Sequence, residues 1–142
     1  MRLTAFTDYG LRTLMRLAST PERTFTTDEM ASEFAISRNH LTKIVQDLAR
    51  AGYIKTQRGA GGGFKLAVAA ETLTLGTIVR LLEQRYALVE CFRGDGGFCT
   101  LTPQCRLKSK LAAAREAFLK ELDQTTLAEC AYGGSGTVGL TS

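Results

Sequence analysis

Apolar side chains recur at helical spacing through most of the chain and alternate with polar ones in a single region. Over residues 4–19 the apolar positions are Phe6, Leu11, Leu14, Met15, Leu17 and Ala18, with Thr4 or Thr7 as a cap. Pro21 interrupts the pattern. Thr26, Thr27, Asp28 and Glu29 then open a second helix whose acidic first turn suits the helix dipole, and Met30, Ala31, Phe34 and Ala35 form its inward face. Ile36 and Ser37 make a short break. Ser37 caps a third helix with Leu41, Ile44, Val45 and Leu48 on one side, and Ala51-Gly52 stops it. Residues 53–58 and 64–67 alternate as strands do around the glycine-rich run 59–63, which predicts a β-hairpin. Helical spacing returns over residues 74–83, continues in a long helix over 106–122, and ends in a short one over 125–132.

Helix, tight turn, helix and hairpin is the order of a winged helix-turn-helix. The expected fold is mostly α with a small β-wing, the DNA-binding unit being followed by a long C-terminal dimerisation helix. Four segments follow: a winged helix-turn-helix module over 1–85, a cysteine loop over 86–105, a dimerisation region over 106–130, and a tail over 131–142 whose small polar residues predict disorder. In the long helix, Leu107, Leu111, Ala114, Phe118 and Leu122 form a stripe longer than one winged helix needs to cover. Self-association through this helix is one expectation, and packing back on its own core is the other.

Composition narrows the class without deciding it. The chain has 142 residues, 44% apolar and 23% charged, which are the proportions of a globular protein with one core. No stretch approaches the roughly 18 consecutive apolar residues of a membrane span, and the amino terminus lacks the pattern of an export signal. A cytoplasmic protein with no membrane partner is expected. Net charge is +4 and the pI is about 9.0, which suits a polyanionic partner. One histidine, no triad, no carboxylate pair and no phosphate loop leave little for catalysis, so an enzyme is not expected.

The third helix supplies candidate chemistry for DNA. Arg38 and Asn39, at its amino end, suit guanine and adenine edges, while Lys43 and the wing residues Lys55, Arg58 and Lys65 suit phosphates. His40 stands as either a DNA contact or a plain surface residue. Gly59 and Gly62 let the wing tip approach a backbone closely. Thr26, Thr27 and Ser37, at the starts of the second and third helices, complete the candidate contact set. The bland alternative is a solvated helix face; the tight turn and the basic wing together favour double-stranded DNA.

Cys91, Cys99 and Cys105 fall within fifteen residues of a loop broken by Gly94, Gly96 and Gly97. Three soft thiol ligands in a loop able to wrap a bulky group point to a metal or iron–sulfur cluster, although they are one ligand short of the usual four. No Cys-x2-Cys knuckle is present, which counts against a zinc finger. Cys105 stands just ahead of the long helix, whose positive end stabilises a negatively charged cluster. The other reading is three reactive thiols without iron. Cys130, in an alanine-rich setting, reads as a small apolar filler.

With these residues in view, the chain resembles the Rrf-two-type family of bacterial winged-helix regulators that bind iron–sulfur clusters. The resemblance rests on Met1-Arg2-Leu3-Thr4, Asp8-Tyr9-Gly10-Leu11-Arg12, Ser37-Arg38-Asn39-His40, Arg58-Gly59 with Gly62-Gly63, and the loop ending Thr102-Pro103-Gln104-Cys105-Arg106-Leu107-Lys108. The Phe6-Thr7-Asp8-Tyr9-Gly10 segment and the Pro103-to-Lys108 ending are most similar to the family's nitric-oxide-sensing repressors. That resemblance implies a [4Fe–4S] cluster, with [2Fe–2S] as the alternative, held by Cys91, Cys99, Cys105 and Asp8 from the partner subunit of a homodimer. It also implies a palindromic operator as the DNA partner and nitric oxide as the signal. Members that govern cluster assembly carry a histidine shortly after the third cysteine, where this chain has Arg106-Leu107-Lys108. Iron-responsive members share the cysteine spacing, tend to lack the aspartate, and remain the nearest rival.

Overall fold

The computed structural model describes residues 2–132. Five helices and a two-stranded antiparallel sheet make up the fold. Helix α1 spans Ala5–Ser19; Thr4 caps it by accepting from the Thr7 N–H, and Asp8 sits in its first turn. The Glu83 carboxylate anchors this end, accepting from the Thr4 N–H at 2.8 Å and its hydroxyl at 2.9 Å. Helix α2, Thr27–Phe34, begins with a reciprocal capping box. The Thr26 hydroxyl accepts from the Glu29 N–H at 3.1 Å, and the Glu29 carboxylate accepts from the Thr26 N–H at 2.9 Å. That backbone hydrogen bond is the main reason the Glu29 carboxyl lies below its ordinary range. Ala35, expected on the inward face of α2, instead lies exposed just past its end and closes it in the left-handed conformation, with φ of 54°, which turns its methyl group away from the core.

Helix α3, Arg38–Arg50, starts at Ser37, whose hydroxyl accepts from the His40 N–H at 3.0 Å. It buries Leu41, Ile44, Val45 and Leu48, the apolar face expected from their spacing. Strands β1, Ile54–Gln57, and β2, Gly63–Leu66, pair in the register Ile54↔Leu66 to Gln57↔Gly63; β1 is one residue shorter at each end than the alternation predicts, and β2 starts and ends one residue earlier. At Gly62 a Cβ would lie 2.4 Å from the Gln57 carbonyl, so only glycine closes this wing tip.

Phe25, between α1 and α2, adds a bridge to Phe64 through N–H···O bonds of 2.9 and 2.8 Å in the two directions, so the wing hairpin is tied back to the body. The sequence reading missed this bridge, because one residue carries no period. Helix α4, Leu75–Glu83, follows from its Thr74 cap, and α5, Arg106–Leu122, occupies the span expected of the long helix.

The short helix expected over 125–132 is instead a bridge followed by one 3-10 turn, Ala128–Cys130. Thr125 accepts from the Leu75 N–H at 2.9 Å, and the Leu127 N–H donates to Leu73 at 2.7 Å. A segment whose backbone groups are paired with another strand-like segment cannot also close helical turns. The result places Leu127, fully buried, in the same core as Leu14, Phe25, Met30, Ile44, Phe64 and Ile78. The tail segment expected to be disordered lies, from residue 133 onward, outside the described residues.

Candidate nucleic-acid interface and cysteine loop

Capping puts the amino end of α3 at the surface with its side chains outward. Arg38, Asn39 and Lys43 are exposed, as are Ser37 and Thr26, while Thr27 is half-buried. The hydroxyls of Thr26 and Ser37 are already committed as helix caps. Arg38 reaches back to Asp28 of α2 at 3.4 Å, and both side chains are about 70% exposed (69% and 71%). An exposed pair of that kind contributes about 0–1 kcal/mol, so it parks the guanidinium without withholding it from a partner.

Arg58 and Gly59 are exposed at the wing tip and Gly62 is half-buried, while Lys55 and Lys65 line a shallow cleft with Thr24, Thr56, Gln57 and Gly63. Two ammonium groups over a floor of backbone and hydroxyls make an anion-friendly surface beside the wing. His40 differs from its neighbours. It is half-buried and packs on α1, 5.5 Å from Tyr9 and 6.2 Å from Phe6 between ring centroids. Its ring contacts are with α1, whereas Arg38 and Asn39 are exposed.

Asp8 lies one turn into α1, with its side chain about half-exposed. Arg12, four residues on, grips both carboxylate oxygens, Nε to Oδ1 at 2.9 Å and Nη2 to Oδ2 at 2.8 Å. That bond is the first cause of the raised Arg12 pKa. Any metal taking Asp8 displaces Arg12 from one oxygen. For an exposed i,i+4 pair that costs about 0.3–0.5 kcal/mol, a weak barrier.

The cysteine loop leaves α4 after Glu83 and enters α5 at Arg106. Cys91 sits in a 3-10 turn, Glu90–Phe92, Cys99 follows the Gly96-Gly97 bend, and Cys105 is the N-cap residue of α5. All three are half-buried. The bend is organised from within: the Glu90 carboxylate accepts from the Phe98 N–H at 2.7 Å, and Asp95 accepts from the Gly97 N–H at 2.9 Å. Among the described residues, no three His, Cys, Asp or Glu side chains converge into a group that could hold a metal ion. The loop thus brings the thiols into one segment and does not gather them around a point.

The donor chemistry nonetheless fits a cluster. Soft thiols are the ligands such groups take, and the positive end of α5 with Arg106 and Lys108 beside it suits an anionic group. Cys130 lies apart in its 3-10 turn, where burial first, and Glu129 second, push its thiol pKa up; a thiol that holds its proton is a poor ligand. Sequence reasoning missed Glu83, whose partner is 79 residues away, and the rings of Phe6 and Tyr9 as partners of His40. The Asp8–Arg12 pair was missed as well, although its i,i+4 spacing is the local signal that could have found it.

Helix α5 packs on α4, where Arg80 pairs with Asp123 at 2.6 Å. Its one buried residue is Leu119. Leu107 is 60% exposed, and in the loop Phe98 and Leu101 are 84% and 68% exposed. Of the α5 stripe, Leu107 and Ala114 are exposed while Leu111, Phe118 and Leu122 are half-buried, so the helix packs back on its own core in part and leaves its amino-terminal half open. No described helix is long and apolar enough to cross a membrane.

A tight helix-turn-helix with a basic wing beside it defines a winged-helix DNA-binding transcriptional regulator. The chain matches the Rrf2 family, described as an iron-dependent transcriptional regulator, over residues 3–132. The chain belongs to the Rrf2 family, whose members are regulators and not enzymes and are typically dimeric. Among solved structures it is similar to Staphylococcus aureus CymR in its oxidized form, at 27% identity and a TM-score of 0.71, covering 96% of this chain and 100% of that one. It is also similar to CymR, the global cysteine regulator of B. subtilis, at 29% identity and a TM-score of 0.71 over 92% and 96% of the two chains. T. potens IscR matches at 24% identity and a TM-score of 0.69 over 91% and 85%, a likeness of fold alone.

Proposed function

We propose that this chain is a repressor of the NsrR kind, a homodimer that binds a palindromic operator while it holds an iron–sulfur cluster and releases it on exposure to nitric oxide. The observation that carries the proposal is the single glycine-bent loop of Cys91, Cys99 and Cys105, running into the positive end of α5. Asp8 of the partner subunit's α1 is the fourth ligand in this reading, supported by its outward position and its weak pair with Arg12. When bound, the cluster supplies iron whose carboxylate-ligated site is held more weakly than a thiolate-ligated one and is the point open to nitric oxide. Asp8 then ties α1 of one protomer to the cysteine loop of the other. Freed from that tie, the two α3 helices lose their spacing, and half-sites roughly 34 Å apart no longer fit both at once.

On the DNA side, Arg38 and Asn39 read bases, and Lys43, Arg58 and the wing backbone at Gly59 and Gly62 hold phosphates, with Thr26, Thr27 and Ser37 at the rim. Arg38→Ala is expected to narrow the gap between operator and random DNA by about 1–3 kcal/mol. Lys43→Ala is expected to weaken both alike and to lower the salt slope by about one. Fluorescence anisotropy across a salt series checks both, and equal losses on the two DNAs for Arg38→Ala would contradict base reading.

The central test is an absorption spectrum of protein purified without oxygen, titrated with nitric oxide while operator binding is followed. A cluster band that bleaches as DNA is released is the expected result. A stable band indifferent to nitric oxide favours an iron- or cluster-status sensor. A colourless protein that still binds DNA favours a thiol switch, a reading supported by the likeness to the oxidized form of S. aureus CymR.

A further inference from the structure

His40 is the single ring in the recognition helix, and it is turned inward. Its backbone N–H is fixed by Ser37 at 3.0 Å. Its imidazole meets Tyr9 edge-on, at 5.5 Å and 82°, and lies tilted by 32° against Phe6 at 6.2 Å. Both rings belong to the turn of α1 that carries Asp8. The same turn closes on itself: Arg12 holds Asp8 at 2.8 Å and lays its guanidinium 5.1 Å over the Tyr9 ring. Asp8, Arg12, Tyr9 and His40 thus form an unbroken line of contacts from the candidate cluster ligand to the first turn of α3, whose exposed side chains are Arg38 and Asn39.

We infer that His40 is a positioning residue and not a base reader: wedged against Phe6 and Tyr9, it makes the amino end of α3 follow the Asp8 turn of α1. The inference rests on the proposed cluster-controlled function and names the contact that carries control within each protomer. Among the described residues no backbone hydrogen bond joins the first turn of α3, which is held by its own cap, to α1; the two helices otherwise meet through side-chain packing. Edge-to-face ring pairs shift an equilibrium by about two- to tenfold, which overlaps the lower part of the usual range of about five- to 150-fold for coupling between two sites.

The experiment compares operator affinity of cluster-loaded and cluster-free protein for the wild type, His40→Ala, His40→Phe and Tyr9→Leu, with random DNA as reference. The loaded-to-free affinity ratio is expected to fall about fivefold in His40→Ala and in Tyr9→Leu, and to stay within about twofold in His40→Phe, which keeps a ring and loses the imidazole nitrogens. Tyr9→Leu breaks the contact from the α1 side, so the idea stays testable if His40→Ala fails to fold. An unchanged ratio in His40→Ala or Tyr9→Leu overturns the inference. So does a loss of operator preference in His40→Phe, which would make the imidazole a base reader. A wild type with no cluster band, or with equal affinity in both forms, instead sinks the functional proposal and this inference with it.

Discussion

Cys105→Ser protein, purified without oxygen, is expected to be colourless and to bind operator about five- to 150-fold more weakly than the loaded wild type, the usual range of coupling between two sites. The variant isolates the ligand because of where Cys105 sits. It is the N-cap residue of α5 and makes no side-chain capping bond. Serine is among the best residues at that position, so the substitution removes a soft donor while it strengthens the start of the helix. Circular dichroism should therefore be unchanged or show slightly more stable protein. Cys130→Ser is the matched control: its thiol pKa is raised by burial, and its removal should leave both colour and affinity intact. A coloured Cys105→Ser protein with full operator affinity would remove this loop from the ligand set.

Leu127→Ala is expected to destabilise the fold by about 2–5 kcal/mol, the usual cost of emptying a filled leucine site. Domains of this kind are stable by about 5–15 kcal/mol, so the loss is a large share of the whole. Leu127 has no exposed surface, joins the central cluster, and lies on a backbone fixed to Leu73. Urea denaturation should show a lower midpoint with little change in slope. Leu107→Ala, at a site 60% exposed, should shift the stability of the isolated protomer by no more than about 0.5 kcal/mol. A Leu127→Ala loss below about 1 kcal/mol would mean that residues 125–127 are not docked as described.

The comparison of these two leucines indicates what the sequence could reveal. Period 3.6 placed Leu14, Leu41, Ile44 and Leu48 on buried faces, and the bounds of α3 were legible almost to the residue because the Ser37 cap and the Ala51-Gly52 stop mark its ends locally. Leu127 lay in a stretch too short for a period, and its partner Leu73 is 54 positions earlier in the sequence, so its burial could not be read. The same holds for Phe25 against Phe64 and for Glu83 at Thr4. Of the candidate site, the outward set of Arg38, Asn39 and Lys43 was legible because a divided helix has only one free face. His40 was not: its i-spacing puts it at the margin of the buried face, and only the approach of α1 decides which way its ring turns. The cysteines could be grouped by spacing, but spacing says nothing of how far a loop must fold to bring them to one point.

The turn between α2 and α3 has a further consequence. Ala35 holds it at φ of 54°, where an L side chain with a Cβ costs about 1–2 kcal/mol, and its methyl group is exposed, so nothing is gained from it in the core. Glycine would remove that strain at an entropic cost of about 0.5–1 kcal/mol, leaving the protein equal in stability or slightly ahead. The alanine is thus a small reserve of thermostability left unclaimed, at the corner that joins α2 to α3. Proteins under selection are held above a threshold of stability and not driven to its maximum.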